Sequence, residues 1–238
     1  MKYEKFMVVA DVHGNVMHKP TVKAALDFKR RFKPHKSFHL GDNFNFAWLR
    51  KAATDDEKMD DVQEDFQNGC WFLEQYQPDV LLWGNHDQRL VDALDNKANH
   101  GYLKQLAEDW IAHIKAITPK CLHLPYDKRK GVHRYGDTNM LHGYSHGNTA
   151  ARKTAFIYGK CIVGHVHRRT EEPVESLEDV SCFMPGCLCQ LDQGYNRTHL
   201  GALAQKHGWI YGIKTKGGKL VIQTAKFIDG RWYTPDNF

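Results

Sequence analysis

The sequence predicts an α/β fold, and three observations lead to that prediction. Its 238 residues are 42% hydrophobic and 26% charged, which is the composition of a globular chain with a sizeable core. Short apolar runs alternate with amphipathic segments of helical length, as in βαβ units. Each apolar run ends at a loop that carries glycine, carboxylate, amide or imidazole groups. In parallel sheets such loops meet at the carboxyl edge, where ligands bind.

Three strands and the helices between them account for the first part of the chain. The runs 5–10, 37–40 and 79–83 are short and apolar, as buried strands are. Between them, 20–32 has an amphipathic pattern, and 55–76 is a charged helical stretch that stops before a proline. This alternation predicts a largely parallel sheet.

The second part of the chain adds strands of both orientations. Residues 88–117 form a further helical region, and 138–142 and 160–164 are two more strands with histidines at their ends. From residue 208 onward, short β-type runs are separated by the turn signals of hairpins, which predicts antiparallel strands. No linker rich in glycine, serine or proline divides the chain, so we expect one domain over 1–238.

Charge and cysteine usage narrow the class of protein. With 33 basic and 28 acidic residues the formal charge is +5, which suits an anionic substrate without by itself indicating nucleic acid. The apolar runs are too short to cross a bilayer, and no apolar segment of signal-peptide length begins the chain. We therefore expect a cytoplasmic protein with no membrane association. The six cysteines are then reduced thiols, and a metal or redox role for Cys187 and Cys189 is the alternative.

Five strand-end loops carry side chains that can bind a metal. Gathering carboxylates and desolvated imidazoles on one sheet edge is costly unless cations compensate them. The mixture of carboxylate or amide oxygen with imidazole suits manganese, iron, zinc or a mixed pair, and not a thiolate site. The loops contain, in order, Asp11 and His13, then Asp42, Asn43 and Asn45, then Asn85, His86 and Asp87, then His142, and finally His165 and His167.

These motifs resemble the calcineurin-like metallophosphoesterases. The family pattern is D-x-H, GD-x-x-D/N, GNH-D/E, a lone His, and GH-x-H, and all five pieces occur here in that order between Asp11 and His167. The resemblance implies an α/β fold, a metallophosphoesterase-type β-sandwich of two mixed sheets flanked by helices. The segment from about 170 to 238 would complete the second sheet.

The resemblance also implies a centre of two divalent metal ions. Manganese is the favoured metal, with iron, zinc and nickel as alternatives. Asp42 would bridge the ions, because one carboxylate can hold two cations roughly 3.5–4 Å apart. One ion would be held by Asp11, His13 and His167, and the other by Asn85, His142 and His165.

The implied reaction is hydrolysis of a phosphomonoester or phosphodiester by attack of a metal-bound hydroxide. His86 follows Asn85 directly and has no ligand role in the family pattern, so it would be the general acid that protonates the leaving alkoxide. A hydrogen-bonded loop histidine is the alternative interpretation. Asp87 would hold the loop or a histidine tautomer and would not take part in the chemistry.

The chain departs from the Ser/Thr protein phosphatase branch at two positions. Asn45 stands where that branch has an Asp beside the catalytic histidine, and Phe46 stands where it has an Arg. An Asn still orients His86 but raises its pKa less than a carboxylate would. Losing the Arg removes a contact to the phosphate. Both departures favour a small phosphoesterase over a protein phosphatase.

Asn45 and Arg89 are the candidate substrate-binding residues. Other arginines near the motifs could supply the missing phosphate contact, with a solvated surface position as the alternative. They are Arg152, Arg168 and Arg169. Among the histidines outside the motifs, His146 is singled out because it follows a predicted ligand by four residues.

The sequence therefore predicts a metal-dependent phosphoesterase. Its partner would be a phosphoester, on a nucleotide, a nucleic-acid end or a small molecule, and the oligomeric state stays open. A nuclease of the same fold acting on DNA or RNA is one alternative, since the charge permits a basic groove without delineating it. A metal-free protein-binding scaffold is the alternative of another class, and the complete set of ligand positions argues against it.

Overall fold

The chain folds into strands and helices in the alternating order that its pattern predicts. The computed structural model describes residues 3–50, 52–59, 61–191 and 200–234. The strands are β1 (Glu4–Val9), β2 (Lys36–His39), β3 (Val80–Leu82), β4 (Leu122–Leu124), β5 (Val132–Tyr135), β6 (Thr138–Leu141), β7 (Cys161–Val163), β8 (Arg169–Pro173), β9 (Ser181–Pro185), β10 (Ile210–Lys214), β11 (Leu220–Thr224), β12 (Lys226–Ile228) and β13 (Arg231–Tyr233). The helices are α1 (Lys19–Phe32), α2 (Asp55–Lys58), α3 (Val62–Tyr76), α4 (Gln88–Asp95), α5 (Gly101–Ile117) and α6 (Ala150–Tyr158).

Two mixed sheets form the centre of the fold. The six-stranded sheet has the order β11-β10-β1-β2-β3-β4, in which β1 to β4 are parallel and β10 and β11 are antiparallel additions. The five-stranded sheet has the order β5-β6-β7-β9-β8, with parallel strands in the middle and antiparallel strands at both edges. The α/β fold of two mixed sheets flanked by helices is thus confirmed. The strands β12 and β13 pair separately.

The two faces of β1 show how the layers pack. Phe6 and Val8 belong to an apolar cluster that also contains Met140 and Ile162 of the five-stranded sheet, so this face lies between the sheets. The intervening side chains of β1 pack instead against α1 and α3. Alternation of side chains along a strand therefore places one face in the sandwich and the other under helices. A third cluster joins α3, α4 and α5 to β3.

Two helical stretches that the sequence pattern predicts as continuous are each divided into two helices. The stretch 55–76 divides into α2 and α3, and α3 is capped by Asp61, whose carboxylate accepts hydrogen bonds from the backbone N–H of Gln63 and Glu64. The stretch 88–117 divides into α4 and α5, and α5 is capped by His100, whose side chain accepts from Tyr102 N. In each case a capping side chain starts a new helix inside a polar run.

The C-terminal segment contributes to both sheets. β8 and β9 extend the five-stranded sheet, whereas β10 and β11 add to the six-stranded one. The cause is the free edge of β1, where Lys5 pairs with Ile213 in an antiparallel ladder. In the described residues all six cysteines are free thiols, and no helix has the length and apolarity needed to span a membrane.

The core between the sheets generates a first prediction. Phe38 is 1% exposed and packs on Tyr135 at 4.9 Å between ring centroids. We expect Phe38→Ala to lower the free energy of unfolding by about 3–5 kcal/mol in denaturant titrations, because a large buried side chain is lost. The matched control is Val221→Ala on β11, 42% exposed, which should change it by no more than about 0.5 kcal/mol. Similar losses in both variants would contradict the assignment of this core.

Candidate metal centre

The loops that follow β1, β2, β3, β6 and β7 meet at one end of the sandwich. Asp11 N donates to Gly41 O at 3.0 Å, which joins the first two loops. His165 N donates to the Asp11 carboxylate at 3.0 Å, which joins a loop of the five-stranded sheet to one of the six-stranded sheet. Of the predicted ligands, Asp11, His13, Asp42, His142 and His167 are each at most 5% exposed, and Asn85 and His165 are half-buried. The structure therefore brings all seven predicted ligand residues together.

Five of the predicted ligands have left-handed backbone conformations. A non-glycine residue rarely adopts a positive φ, and each costs about 1–3 kcal/mol that the surrounding fold must offset. Such residues cluster at functional sites. The five are Asp11 at φ 56°, His13 at 52°, Asp42 at 52°, His165 at 72° and His167 at 56°.

The glycines of the second and third motifs allow these loops to approach closely. A Cβ added at Gly84 would lie 2.1 Å from Asp42 Oδ1. A Cβ added at Gly41, whose φ is 104°, would lie 2.6 Å from Gly84 N and 2.9 Å from His142 Nδ1. Any side chain at either position would therefore displace a predicted ligand.

The Asp42 carboxylate lies between two groups of donor atoms. On one side, His13 Nε2 is 3.8 Å from Asp42 Oδ2 and 3.1 Å from His167 Nε2. On the other side, His142 Nε2 is 3.3 Å from the same Asp42 oxygen and 3.0 Å from Asn85 Oδ1. Asp42 Oδ1 accepts a hydrogen bond from His86 N at 2.8 Å. One carboxylate thus faces both groups.

Charge inside the cluster is only partly compensated by the protein. Burial raises the pKa of Asp11 well above its usual value. Burial would also raise the pKa of Asp42, but nearby histidines, His142 foremost, hold it well below its usual value. Burial of His142 would lower its pKa, but the nearby Asp42 carboxylate raises the pKa of His142 to about 9. The buried carboxylates therefore favour positive charge in the site. Divalent cations would supply more of it than a protonated histidine does.

The remaining imidazoles are held in the neutral form. Burial is the main cause in each case: it lowers the pKa of His13 well below its usual value, that of His165 to about 3 and that of His167 to about 4. A neutral imidazole has a free nitrogen lone pair for a metal. The buried Nδ1 atoms of His13 and His165 have no hydrogen-bond partner among the described residues. Carboxylate and amide oxygens with these imidazoles form a donor set that fits two divalent cations.

His86 lies close enough to His13 and Asp42 to form a group of three donors with them, and Asn45 contacts its ring from one side. Its Nδ1 is 2.9 Å from Asn45 O, 3.1 Å from Asn45 Oδ1 and 3.1 Å from Arg89 Nη1. In the tautomer that carries the proton on Nδ1, this N–H donates to Asn45. Arg89 Nη1 donates to the same carbonyl at 2.8 Å. Burial lowers the pKa of His86 to about 4, Asp42 acts in the opposite direction, and Arg89 adds to the lowering. The two candidate substrate-binding residues, Asn45 and Arg89, therefore both contact the immediate surroundings of His86.

Asp87 supports the loops and is not one of the predicted metal ligands. Its Oδ1 accepts from Phe44 N at 3.0 Å and its Oδ2 accepts from Gly84 N at 2.9 Å. The carboxylate thus ties the second and third loops together, which is the loop-holding role that the sequence predicts. Phe46, the residue in the position of the family's Arg, is fully buried and stacks on Phe44 at 4.9 Å.

Asp65 is a supporting residue that belongs to none of the sequence motifs. It is 2% exposed, and its carboxylate accepts from the backbone N–H of Asn45 at 3.0 Å, Phe46 at 2.7 Å and Asn15 at 3.2 Å. The signal was present, because Asp65 stands on the buried stripe of α3 with Gly69. A carboxylate on the apolar face of a helix needs buried donors.

Cys189 is a second residue that the sequence did not assign to the site. Its Sγ is 3.7 Å from Nδ1 of His167, and His207 Nε2 donates to its carbonyl at 2.9 Å. The buried Cys189 therefore lies behind a predicted ligand, with His13 and His167 close enough to form a group of three donors. Cys187 is also buried.

Four of the predicted ligands, Asp42, Asn85, His165 and His167, line a cleft of about 390 Å³. Arg168 borders this cleft, whereas Arg152 pairs with Glu172 on the surface at 2.9 Å. Arg169 donates to His207 O at 3.3 Å. A larger groove of about 560 Å³ lies between α1 and α3, but no carboxylate or imidazole is among the described residues that line it. The candidate site is therefore the smaller cleft, which is lined by Asp42, Asn85, His86, His146, His165 and His167.

Solved structures of similar fold include phosphoesterases. An archaeal phosphodiesterase is 15% identical, with 92% of this chain and 99% of that chain covered and a TM-score of 0.46. A metallophosphoesterase from Sphaerobacter thermophilus is 14% identical, with coverage of 95% and 89% and a TM-score of 0.48. Vps29 of Entamoeba histolytica complexed with Zn²⁺ is 13% identical, with coverage of 96% of both chains and a TM-score of 0.47.

In its motifs the chain resembles the calcineurin-like metallophosphoesterases. No protein-family model matches the chain, and no curated protein matches it in sequence. The function of the chain has to be argued from the site itself.

The contacts of Asp65 generate a second prediction. We expect Asp65→Asn to lower the free energy of unfolding by about 1–3 kcal/mol, since an amide leaves at least one of the buried N–H groups without an acceptor. The displaced Asn45 should also lower kcat for the hydrolysis proposed below. The matched control is the exposed Glu64→Gln on the same helix, which should change neither quantity. A variant with unchanged stability and unchanged kcat would show that Asp65 does not hold this loop.

Proposed function

We propose that this protein is a two-metal phosphoesterase. The observation that carries the proposal is the buried Asp42 carboxylate, which lines the cleft and faces two groups of imidazole and oxygen donors. A structural role alone does not account for so many buried donors in left-handed conformations. Their convergence also favours an enzyme over a metal-free scaffold, which would have no need to retain every ligand position.

Two sets of residues would hold the cations, with Asp42 shared between them. When bound, the two cations would hold phosphoryl oxygens, lower the pKa of water and offset negative charge in the transition state. The fold contributes rigidity, because the ligands follow strands of both sheets and their loops are hydrogen-bonded to one another. The sets are Asp11, His13 and His167 for one cation and Asn85, His142 and His165 for the other.

His86 is the residue that we assign to proton transfer. Its Nδ1–H is fixed by Asn45, so Nε2 is the atom that would carry the transferred proton. At neutral pH its low pKa leaves the imidazole uncharged before substrate binds. The negative charge of a phosphoester beside it would raise that pKa again, so that His86 takes up a proton with the substrate and gives it to the leaving alkoxide.

The surroundings of the cleft favour a small phosphoester or a nucleotide. Phe46 packs into the core and offers no charge to a phosphate. Arg168 is the arginine that borders the cleft. A cleft of about 390 Å³ lies within the size range of small-molecule sites. The substrate class we propose is therefore a nucleotide, a nucleic-acid end or a small ester, with manganese as the favoured metal and phosphoproteins as poor substrates.

Asp42→Asn provides the first test of this function. With Mn²⁺ in excess, the wild-type chain should bind two ions and hydrolyse p-nitrophenyl phosphate, its bis-ester or a cyclic nucleotide in preference to phosphoproteins. The isosteric Asp42→Asn should hold fewer ions, by elemental analysis, and lose nearly all turnover, because the shared carboxylate is gone. The control Asp109→Asn, an exposed position on α5, should match the wild type. A variant at Asp42 that keeps half its turnover at saturating Mn²⁺ would refute the two-metal assignment.

The role of His86 is tested with two leaving groups. His86→Ala should keep two metal ions and lose about 10²–10⁴-fold in rate on an alkyl ester, whose leaving group needs a proton. The loss should shrink on a p-nitrophenyl ester, because that leaving group departs as a stable anion. His142→Ala is the matched comparison and should lose metal and depress both rates alike. Equal losses on both esters for His86→Ala, with metal also missing, would make His86 a ligand instead of the acid.

A further inference from the structure

The loop that follows β6 brings an additional imidazole to the mouth of the cleft. His146 lies on this loop, and its Nδ1 and Nε2 are 3.1 Å and 3.3 Å from Nε2 of His165. The two rings are 4.3 Å apart between centroids and inclined at 56°. His146 is exposed to solvent on its other side and lines the same cleft as Asp42 and Asn85.

The second nitrogen of His165 has a different environment. His165 Nδ1 is buried and has no hydrogen-bond partner among the described residues. The His165 ring belongs to the same donor group as Asp42 and His142. Nε2 of His165 is therefore the nitrogen that a protein side chain contacts, and Nδ1 is the nitrogen that stays available to a metal ion.

The two nitrogens of His142 also have separate roles, but here Nδ1 contacts the protein and Nε2 faces the predicted metal site. Its Nδ1–H donates to Leu40 O at 2.8 Å, and its Nε2 is the atom that faces Asp42 and Asn85. A histidine that binds a metal through one nitrogen usually donates the other N–H to a neighbouring acceptor, which fixes its tautomer and ring orientation. Leu40 supplies that acceptor for His142, and His146 is in position to supply it for His165.

Other residues hold the His146 loop against the sheet. Arg168 Nη1 donates to Gly147 O at 3.0 Å, and Arg168 Nη2 donates to Asn148 Oδ1 at 3.2 Å. On the other side of His146, Tyr144 Oη donates to Asp127 O at 2.7 Å. The contact between His146 and His165 is thus supported at both ends of a short segment.

We propose that His146 is a positioning residue for the metal centre. It accepts the Nε2–H of His165, which keeps the lone pair on Nδ1 and turns that atom toward the cation held with Asn85 and His142. This inference rests on the proposed function, because it assigns His165 to that cation. It adds a residue outside the family motifs that would set how tightly one of the two cations binds.

The test measures metal affinity and not only activity. Mn²⁺ is titrated calorimetrically into the metal-free chain as wild type, His146→Ala and His146→Gln. His146→Ala should weaken one of the two binding steps by about 10–100-fold and leave the other unchanged. His146→Gln should recover most of the loss, because its amide oxygen accepts the same N–H. The matched control, the exposed His113→Ala on α5, should bind like the wild type.

The outcomes separate this inference from the proposed function. Two Mn²⁺ ions bound by the wild type, with unchanged affinity in His146→Ala, would overturn the role of His146 alone. A glutamine variant that binds as weakly as the alanine variant would also overturn it. A wild-type chain that binds fewer than two ions would overturn the two-metal centre and this inference together. Equal thermal midpoints for the metal-free variants would exclude loss of folding as the cause of weaker binding.

Discussion

The rest of the site depends on the burial of one carboxylate, that of Asp42. The Asp42 side chain is 1% exposed and lies between two sets of imidazoles. As an anion it would be unstable there without positive charge close by. His142 supplies part of this positive charge. Asp42 therefore raises the pKa of His142 although burial alone would lower it. The glycines at positions 41 and 84 allow the close approach, and Asp87 ties together the loops that make it.

Much of this arrangement could be predicted from the sequence, because every predicted ligand lies in a loop that directly follows an apolar run. The strand and its terminal motif are local information, and the carboxyl ends of parallel strands necessarily meet. What the sequence could not give were contacts between distant segments with no motif of their own. The acceptor role of Asp65 toward Asn45 and the pairing of His146 with His165 exist only once the loops have been assembled.

The fold shows the same division between local and distant information. The break between α2 and α3 depends on Asp61, one of several acidic residues in a charged run, and nothing local distinguished it as the cap. The placement of β10 depends on the free edge of β1, a property of the assembled sheet and not of the strand. Periodicity predicts which segments form strands, and competition for edges decides which sheet they join.

The proposed ligands come from both halves of the sandwich, which has a consequence for how the chain holds together. Asp11, His13, Asp42 and Asn85 follow strands of the six-stranded sheet. The other proposed ligands, His142, His165 and His167, follow strands of the five-stranded one. Cations bound there would act as cross-links between segments far apart in the chain. Resistance to heat and to proteases would then follow free metal concentration by mass action, as RT ln(1 + [M]/Kd). A chelator would destabilise the interface between the two sheets as well as stop the proposed hydrolysis.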